Sequence, residues 1–107
     1  MIDIQPDHLK TVREILARRL QGDVKVWVFG SRVGRTEKKY SDLDLALESD
    51  NGEKLPFETL SALQTDFEDS NLPWKVDVLD INAIDPGFRK IVEQDRVPLG
   101  VGEIAGS

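Results

Sequence analysis

Two aspartates, Asp42 and Asp44, are separated by one residue in the segment DLDLALE. This segment alternates strictly between polar and apolar residues, which predicts a β-strand with both carboxylates on one face. Two carboxylates held side by side repel each other unless they share a proton or a cation. In proteins Mg²⁺ commonly uses one or two carboxylates together with substrate phosphates. The spacing therefore predicts a magnesium site beside a phosphate-containing ligand.

A third acid, Asp77, lies within the apolar segment WKVDVLDI. Aspartate is disfavoured in the middle of a strand, so its presence there indicates a function. If this strand lies next to the strand that carries Asp42 and Asp44, Asp77 can complete the metal site. Asp80 comes three residues later and belongs on the opposite face of a regular strand. We therefore interpret Asp80 as structural.

A candidate phosphate site precedes the acids, with Gly30 and Ser31 separated from Asp42 by ten residues. Glycine has no Cβ, so a phosphate can approach its backbone closely. Ser31 adds a hydroxyl, and free N–H groups would favour an anion if a short helix begins there. The segment 30–41 has four basic residues against one acidic residue, a local charge of +3: Arg32, Arg35, Lys38 and Lys39 against Glu37.

The whole chain has 107 residues, a net charge of -6 and no cysteine. This length predicts one domain over residues 1–107. The negative charge argues against a nucleic-acid polymer as the main partner, because its phosphates need a basic surface. No segment is typical of a signal peptide or of a membrane span. We therefore expect a soluble, cytoplasmic protein.

The hydrophobic periodicity predicts an α/β domain in which helices pack on a sheet of three or four strands. The predicted helices are Asp7–Leu20, Pro56–Asp69 and Pro86 to about Gln94, after an N-cap at Asp85. The predicted strands are Val24–Phe29, Asp42–Glu48, Trp74–Ile81 and, at an edge, Val97–Val101. The relative direction of the first two strands stays open.

Apolar stripes on the helices identify the expected core. They consist of Leu9, Val12, Leu16 and Leu20, then Phe57, Leu60, Leu63 and Phe67, and finally Phe88, Ile91 and Val92. Trp27 and Trp74 are interpreted as packing residues, and His8 as a surface residue. Glu48 extends the acidic face of its strand, but too far along to be a metal ligand.

The pattern of Gly30-Ser31, ten residues and Asp42-Leu43-Asp44 resembles the signature of the DNA polymerase β-like nucleotidyltransferase superfamily. The surrounding VFGSR and SDLDLAL resemble its minimal members, the MntA-type antitoxins of HEPN–MNT toxin–antitoxin pairs. This resemblance covers nearly the whole chain. It implies a mixed sheet, two Mg²⁺ ions and ATP as the donor of AMP.

The resemblance also implies a role for each site residue. Gly30 and Ser31 would hold the triphosphate, and Arg32 would contact phosphate. Asp42 and Asp44 would bind the metals, while Asp77 would bind the metal nearer the nucleophile and help to activate the attacking hydroxyl. The segment 33–35 (VGR) departs from the family pattern, and no phosphate role is assigned to its arginine.

A chain of this size has no extra domain to bind an acceptor, so a protein partner is the simplest source of one. The resemblance implies a HEPN toxin, a small helical ribonuclease whose tyrosine hydroxyl receives AMP. The predicted function is thus a protein adenylyltransferase that acts as an antitoxin. The alternative is a non-enzymatic module that neutralises its partner by occlusion. A receiver-type phosphoacceptor domain is disfavoured, because the chain is too short for five βα units. The oligomeric state stays open.

Overall fold

The computed structural model describes residues 5–20, 24–29 and 42–99. These residues form three helices, α1 (Pro6–Arg19), α2 (Phe57–Glu68) and α3 (Pro86–Asp95), and four strands, β1 (Val24–Phe29), β2 (Leu43–Ser49), β3 (Val76–Asp80) and β4 (Val97–Pro98). The predicted order of elements is confirmed, and most ends lie within two residues of their predicted positions. The predicted phosphate residues Gly30, Ser31 and Arg32 lie outside the described residues.

The four strands form one mixed sheet in the order β3-β2-β1-β4. β1 is antiparallel to both β2 and β4, whereas β2 and β3 are parallel. A parallel neighbour requires a crossover connection, and α2 lies in the chain between β2 and β3. The structure therefore settles the direction of the first two strands and places β3 directly beside β2.

Helices α1 and α2 bury their apolar sides with one face of the sheet in the larger core. On β2 the alternating residues Leu43, Leu45 and Leu47 all have no exposed surface. Their helical neighbours in this core include Val12, Ile15 and Leu16 of α1, and Leu63 and Phe67 of α2. Because alternate strand residues point to opposite faces, burying these leucines directs Asp44 to the other face.

Helix α3 packs on that other face, where Val92 forms a small buried cluster with Ala46 and Ile81. Its first turn is capped as predicted, since the Asp85 carboxylate accepts hydrogen bonds from the backbone N–H groups of Gly87 and Phe88. After α3 the chain returns to the sheet as β4, beside β1. The buried contact of α3 with β2 thus lies at Ala46, two residues beyond Asp44.

Three stripe residues predicted to be buried are instead exposed: Phe57 by 78%, Ile91 by 58% and Phe88 by 41%. Phe57 is the first residue of α2, one end of the helix, and Leu63 and Phe67 are the residues that α2 buries. On α3 only Val92 is buried. A stripe predicts which side of a helix faces the sheet, but not how far the sheet extends beneath it.

The two tryptophans differ in their environments. Trp74 is buried, and His8 makes an edge-to-face contact with it at 5.9 Å between ring centroids. His8 is therefore half-buried rather than a plain surface residue. Trp27 is also half-buried, lies on the α3 side of the sheet and donates a hydrogen bond from its indole nitrogen to Glu48.

Within residues 5–20, 24–29 and 42–99, no helix combines the length and the apolar character that crossing a bilayer requires.

Candidate active site

The three predicted acids lie at one end of the α3 side of the sheet, and we call Asp42, Asp44 and Asp77 the acid row. Asp44 of β2 is the direct register partner of Asp77 on the parallel strand β3. Side chains of directly paired residues project from the same face of a sheet and lie close together. Asp42 is exposed and comes immediately before β2. The structure therefore places Asp44 and Asp77 side by side, although they are 33 residues apart in the chain.

The electrostatics of Asp44 reflect this crowding. Partial burial, followed by the charges of Asp77 and then Asp42, raises the pKa of Asp44 from its ordinary value of 3.8 to about 6. Burial and nearby like charges both disfavour the ionised form of a carboxyl group. A positive charge on the row would relieve this repulsion.

The acid row fits a divalent cation in its donor chemistry, since hard cations such as Mg²⁺ prefer oxygen ligands. In the described part of the chain, however, no three acidic or histidine side chains form a closed group that could hold a metal ion by themselves. Mg²⁺ sites in enzymes that act on nucleotides often combine one or two carboxylates with substrate phosphates and water. The row therefore fits an ion that arrives together with a phosphate ligand.

The position of Asp77 depends on a glutamine that sequence analysis missed. β3 is an edge strand, and Gln64 of α2 hydrogen-bonds to it on both sides of Asp77. The Gln64 amide donates to the carbonyl of Val76 at 2.7 Å and accepts from the N–H of Val78 at 3.3 Å. On the β2 side of this chain segment, the Leu43 N–H donates a hydrogen bond to the Lys75 carbonyl at 2.8 Å. An amide-bearing side chain within the apolar stripe of a predicted helix is the sequence feature that could have identified Gln64.

An aromatic pair borders the acid row on the β1 side. Phe29, the last residue of β1, is the register partner of Asp44 across the antiparallel pair. Phe88 of α3 meets Phe29 edge to face, with 6.3 Å between the ring centroids. The paired residues Phe29, Asp44 and Asp77 thus lie side by side across three strands. The residue at the β1 end is apolar, and the residue at the β3 end is a half-exposed acid on the edge strand.

The model of the family described as "Nucleotidyltransferase domain" matches residues 9–99. The chain belongs to this family. The nucleotidyltransferase domain is also 44% identical over 93 residues to "Probable protein adenylyltransferase MntA" of Haemophilus influenzae, covering 87% of this chain and 79% of that protein. The predicted family and the prediction of a nucleotidyltransferase are both confirmed.

Two solved structures share the fold of this nucleotidyltransferase domain. One is a crystal structure of a toxin–antitoxin with AMP-PNP, with a TM-score of 0.66 and 17% identity over 92% of this chain and 81% of that chain. The other is a crystal structure of the toxin–antitoxin MntA-HepT, with a TM-score of 0.59 and 15% identity over 95% of this chain and 81% of that chain. At these identities the likeness shows the fold alone.

Two further acids of the nucleotidyltransferase domain, Asp80 and Glu48, have hydrogen-bond or ion-pair partners within the protein. Asp80 is buried on the face opposite Asp77, as predicted, and accepts hydrogen bonds from the backbone N–H groups of Leu55 and Asn82. Glu48 lies four residues after Asp44, on the same side of β2, where Trp27 and two arginines hold it. Neither acid belongs to the acid row.

Proposed function

We propose that this protein transfers AMP from ATP to a tyrosine hydroxyl of a HEPN-type toxin, with Mg²⁺, and thereby acts as an antitoxin. The 44% identical relative is named as a probable protein adenylyltransferase. Solved structures with the same fold are toxin–antitoxin structures, one of them with AMP-PNP. ATP, Mg²⁺ and a toxin partner all belong to the cell interior, so we infer a cytoplasmic location as well.

The observation that carries this proposal is the pairing of Asp44 with Asp77 on adjacent parallel strands. A buried or half-buried pair of carboxylates costs stability unless a cation joins them, so a purely structural role for both is disfavoured. The predicted phosphate residues Gly30 and Ser31 directly follow Phe29 in the chain, and Phe29 is the other register partner of Asp44. A triphosphate held by that segment would therefore begin beside the acid row.

In the proposed reaction, Gly30, Ser31 and Arg32 would hold the triphosphate, and the acid row would hold two Mg²⁺ ions. Bound Mg²⁺ would neutralise the phosphate oxygens and stabilise charge on the attacking and leaving oxygens. The hydroxyl oxygen forms a bond to the α-phosphorus, and the bond from that phosphorus to the oxygen bridging to the β-phosphate breaks. Pyrophosphate leaves. Asp77 accepts the hydroxyl proton.

The acceptor must come from outside the domain and must reach Asp77. Asp77 lies on the edge strand of the sheet, and its side chain is 46% exposed. A hydroxyl on a partner protein can therefore approach from this edge, while the aromatic pair Phe29 and Phe88 borders Asp44 on the β1 side. This geometry leaves Asp77 accessible to an acceptor on a partner protein.

The test is transfer of radiolabel from ATP labelled at the α-phosphate to the purified partner toxin. We expect wild-type protein to label the toxin and Asp44→Asn to lose labelling on the order of 10³-fold, since metal stabilisation of the transition state is worth several kcal/mol. Asp50→Asn is the matched control, because Asp50 is exposed and lies beyond the far end of β2. Undiminished labelling by the Asp44 variant would contradict the proposal.

Neutralisation by occlusion is the second candidate function. The exposed apolar side chains of Phe88 and Ile91 on α3 favour it, because large exposed apolar residues often mark a binding surface. Protection of cells from the toxin separates the two candidates. Full protection by Asp44→Asn supports occlusion, whereas loss of protection with retained toxin binding supports transfer.

A further inference from the structure

Lys75 lies beside two members of the acid row. It precedes Asp77 by two residues, so the two side chains lie on the same side of the chain in this extended segment. Extending the β2–β3 register by one residue also places Lys75 opposite Asp42. The ammonium nitrogen of Lys75 is 3.5 Å from the Oδ1 atom of Asp77, and the lysine side chain is 61% exposed.

This contact gives the acid row its only cation among the ion pairs of the described residues. The other ion pairs there join Arg19 to Asp66, Arg89 to Glu48 and Glu93, and Arg96 to Glu48. None of them includes Asp42 or Asp44. Within the described residues, one exposed ammonium group therefore pairs with Asp77, next to the other two carboxylates of the row.

We propose that Lys75 alternates between two partners, the Asp77 carboxylate before a metal binds and a phosphate of the nucleotide afterwards. This inference rests on the proposed function, and it assigns to Lys75 a contact with the nucleotide that the family signature does not include. Two cations that compete for one carboxylate repel each other, so a divalent ion on Asp77 displaces the ammonium group.

The chemistry of the side chain suits this exchange. Lysine carries a compact charge on a flexible stem of four carbons, and the exposure of Lys75 leaves that stem free to turn. The nucleotide that binds with the metal would bring new negative charge to the row, and its phosphates would offer the displaced ammonium group a second anionic partner. The lysine then stays at the row as a phosphate contact rather than as a counter-ion of Asp77.

Lys75→Gln separates the two partners, because it removes the charge and keeps most of the stem. Binding of Mn²⁺ alone, followed by the electron paramagnetic resonance signal of the free ion, should become about two- to fivefold tighter, as expected for the loss of an exposed charge contact. Binding of α,β-methylene-ATP with saturating Mg²⁺, measured by calorimetry, should become weaker by a similar factor. Both changes should shrink at high salt.

Two controls isolate the role of the Lys75 charge. Lys54→Gln makes the same charge change in the loop before α2, at an exposed position next to Leu55, whose N–H is bound by Asp80 on the opposite face. It should leave both affinities unchanged. Lys75→Arg keeps the charge and should retain wild-type Mn²⁺ affinity within a factor of two.

The inference predicts that Lys75→Gln changes the Mn²⁺ affinity and the nucleotide affinity in opposite directions. If Lys75→Gln shifts both affinities in the same direction, or neither, the inference is overturned, while AMP transfer by the wild-type protein keeps the proposed function intact. If wild-type protein and Asp44→Asn bind Mn²⁺ equally poorly even with α,β-methylene-ATP present, the acid row is not a metal site, and the inference and the proposed function fall together.

Discussion

Two carboxylates on the same side of β2 have opposite surroundings. Asp44, at the start of the strand, faces Asp77 and Asp42, which help to raise its pKa to about 6. Glu48, four residues further on, accepts a hydrogen bond from Trp27 at 3.0 Å and pairs with Arg89 and Arg96, each at 3.4 Å.

The difference shows how one strand face serves two purposes. The Glu48 cluster, made of Glu48, Trp27, Arg89 and Arg96, connects β1, β2 and both ends of α3, and the Arg96 guanidinium also stacks 3.9 Å from the centroid of the Trp27 ring. Cation–π stacking and satisfied charges of this kind stabilise a structure. Among the described residues, Lys75 is the one cation that forms an ion pair with the acid row, and it reaches Asp77 but not Asp44, so a cationic ligand would still relieve the repulsion there.

The largest expected effect comes from the acid row. Asp77→Asn removes one proposed metal ligand and should reduce AMP transfer on the order of 10³-fold. Its free energy of unfolding should not fall, because the change also removes a negative charge next to Asp44. Labelling assays and urea unfolding of the same preparation measure the two quantities. If the variant loses activity only because it unfolds, Asp77 contributes to stability as Glu48 does, and the distinction between the acid row and the Glu48 cluster is wrong.

A smaller effect, on stability, is expected in the Glu48 cluster. Glu48→Gln should lower the free energy of unfolding by about 2 kcal/mol, because it removes the carboxylate that pairs with the half-buried Arg96 and one of the two that pair with Arg89. Glu93→Gln is the matched control, since Glu93 also pairs with Arg89 but at an exposed site. It should change stability by less than about 0.5 kcal/mol. Equal losses in the two variants, measured by urea unfolding, would show that the cluster has no special role.

The smallest expected effect is the pH dependence of stability. The pKa of Asp44 is raised in the folded protein, so the folded state binds this proton more tightly than the unfolded state does. The resulting stabilisation is complete below about pH 4 and is lost as the pH rises through about 6. For a half-exposed group, solvent screening limits the change to about 1 kcal/mol.

Urea unfolding with a chelator present measures this change as the difference between wild-type protein and Asp44→Asn. The wild-type protein should lose stability relative to the variant between pH 4 and pH 7. Added Mg²⁺ should reverse the trend if the acid row binds it, because the cation favours the ionised carboxylates. Parallel pH curves for the two proteins would argue that Asp44 is not perturbed by its neighbours.

Much of the fold follows from local patterns. The alternation of Leu43, Leu45 and Leu47 predicts both a strand and its buried side, and the Asp85-Pro86 pair predicts the start of α3. The same patterns fail for Phe57 and Ile91, which belong to apolar stripes but remain exposed. Local periodicity gives the orientation of a helix, whereas burial depends on how much of the sheet lies beneath each turn.

The sequence by itself determined the family and the candidate acids, because the spacing of Asp42 and Asp44 and the unusual position of Asp77 are visible in one dimension. Only the tertiary structure decided that β3 lies parallel to β2, which makes Asp77 the partner of Asp44, and that Gln64 and Lys75 flank this pair. The pairing of Asp44 with Asp77 and the contact of Gln64 with β3 join residues distant in the chain, whereas Lys75 is a near neighbour of Asp77 whose contact still depends on where β3 lies. Strand order and register arise from packing of the whole core, and no short-range pattern encodes them.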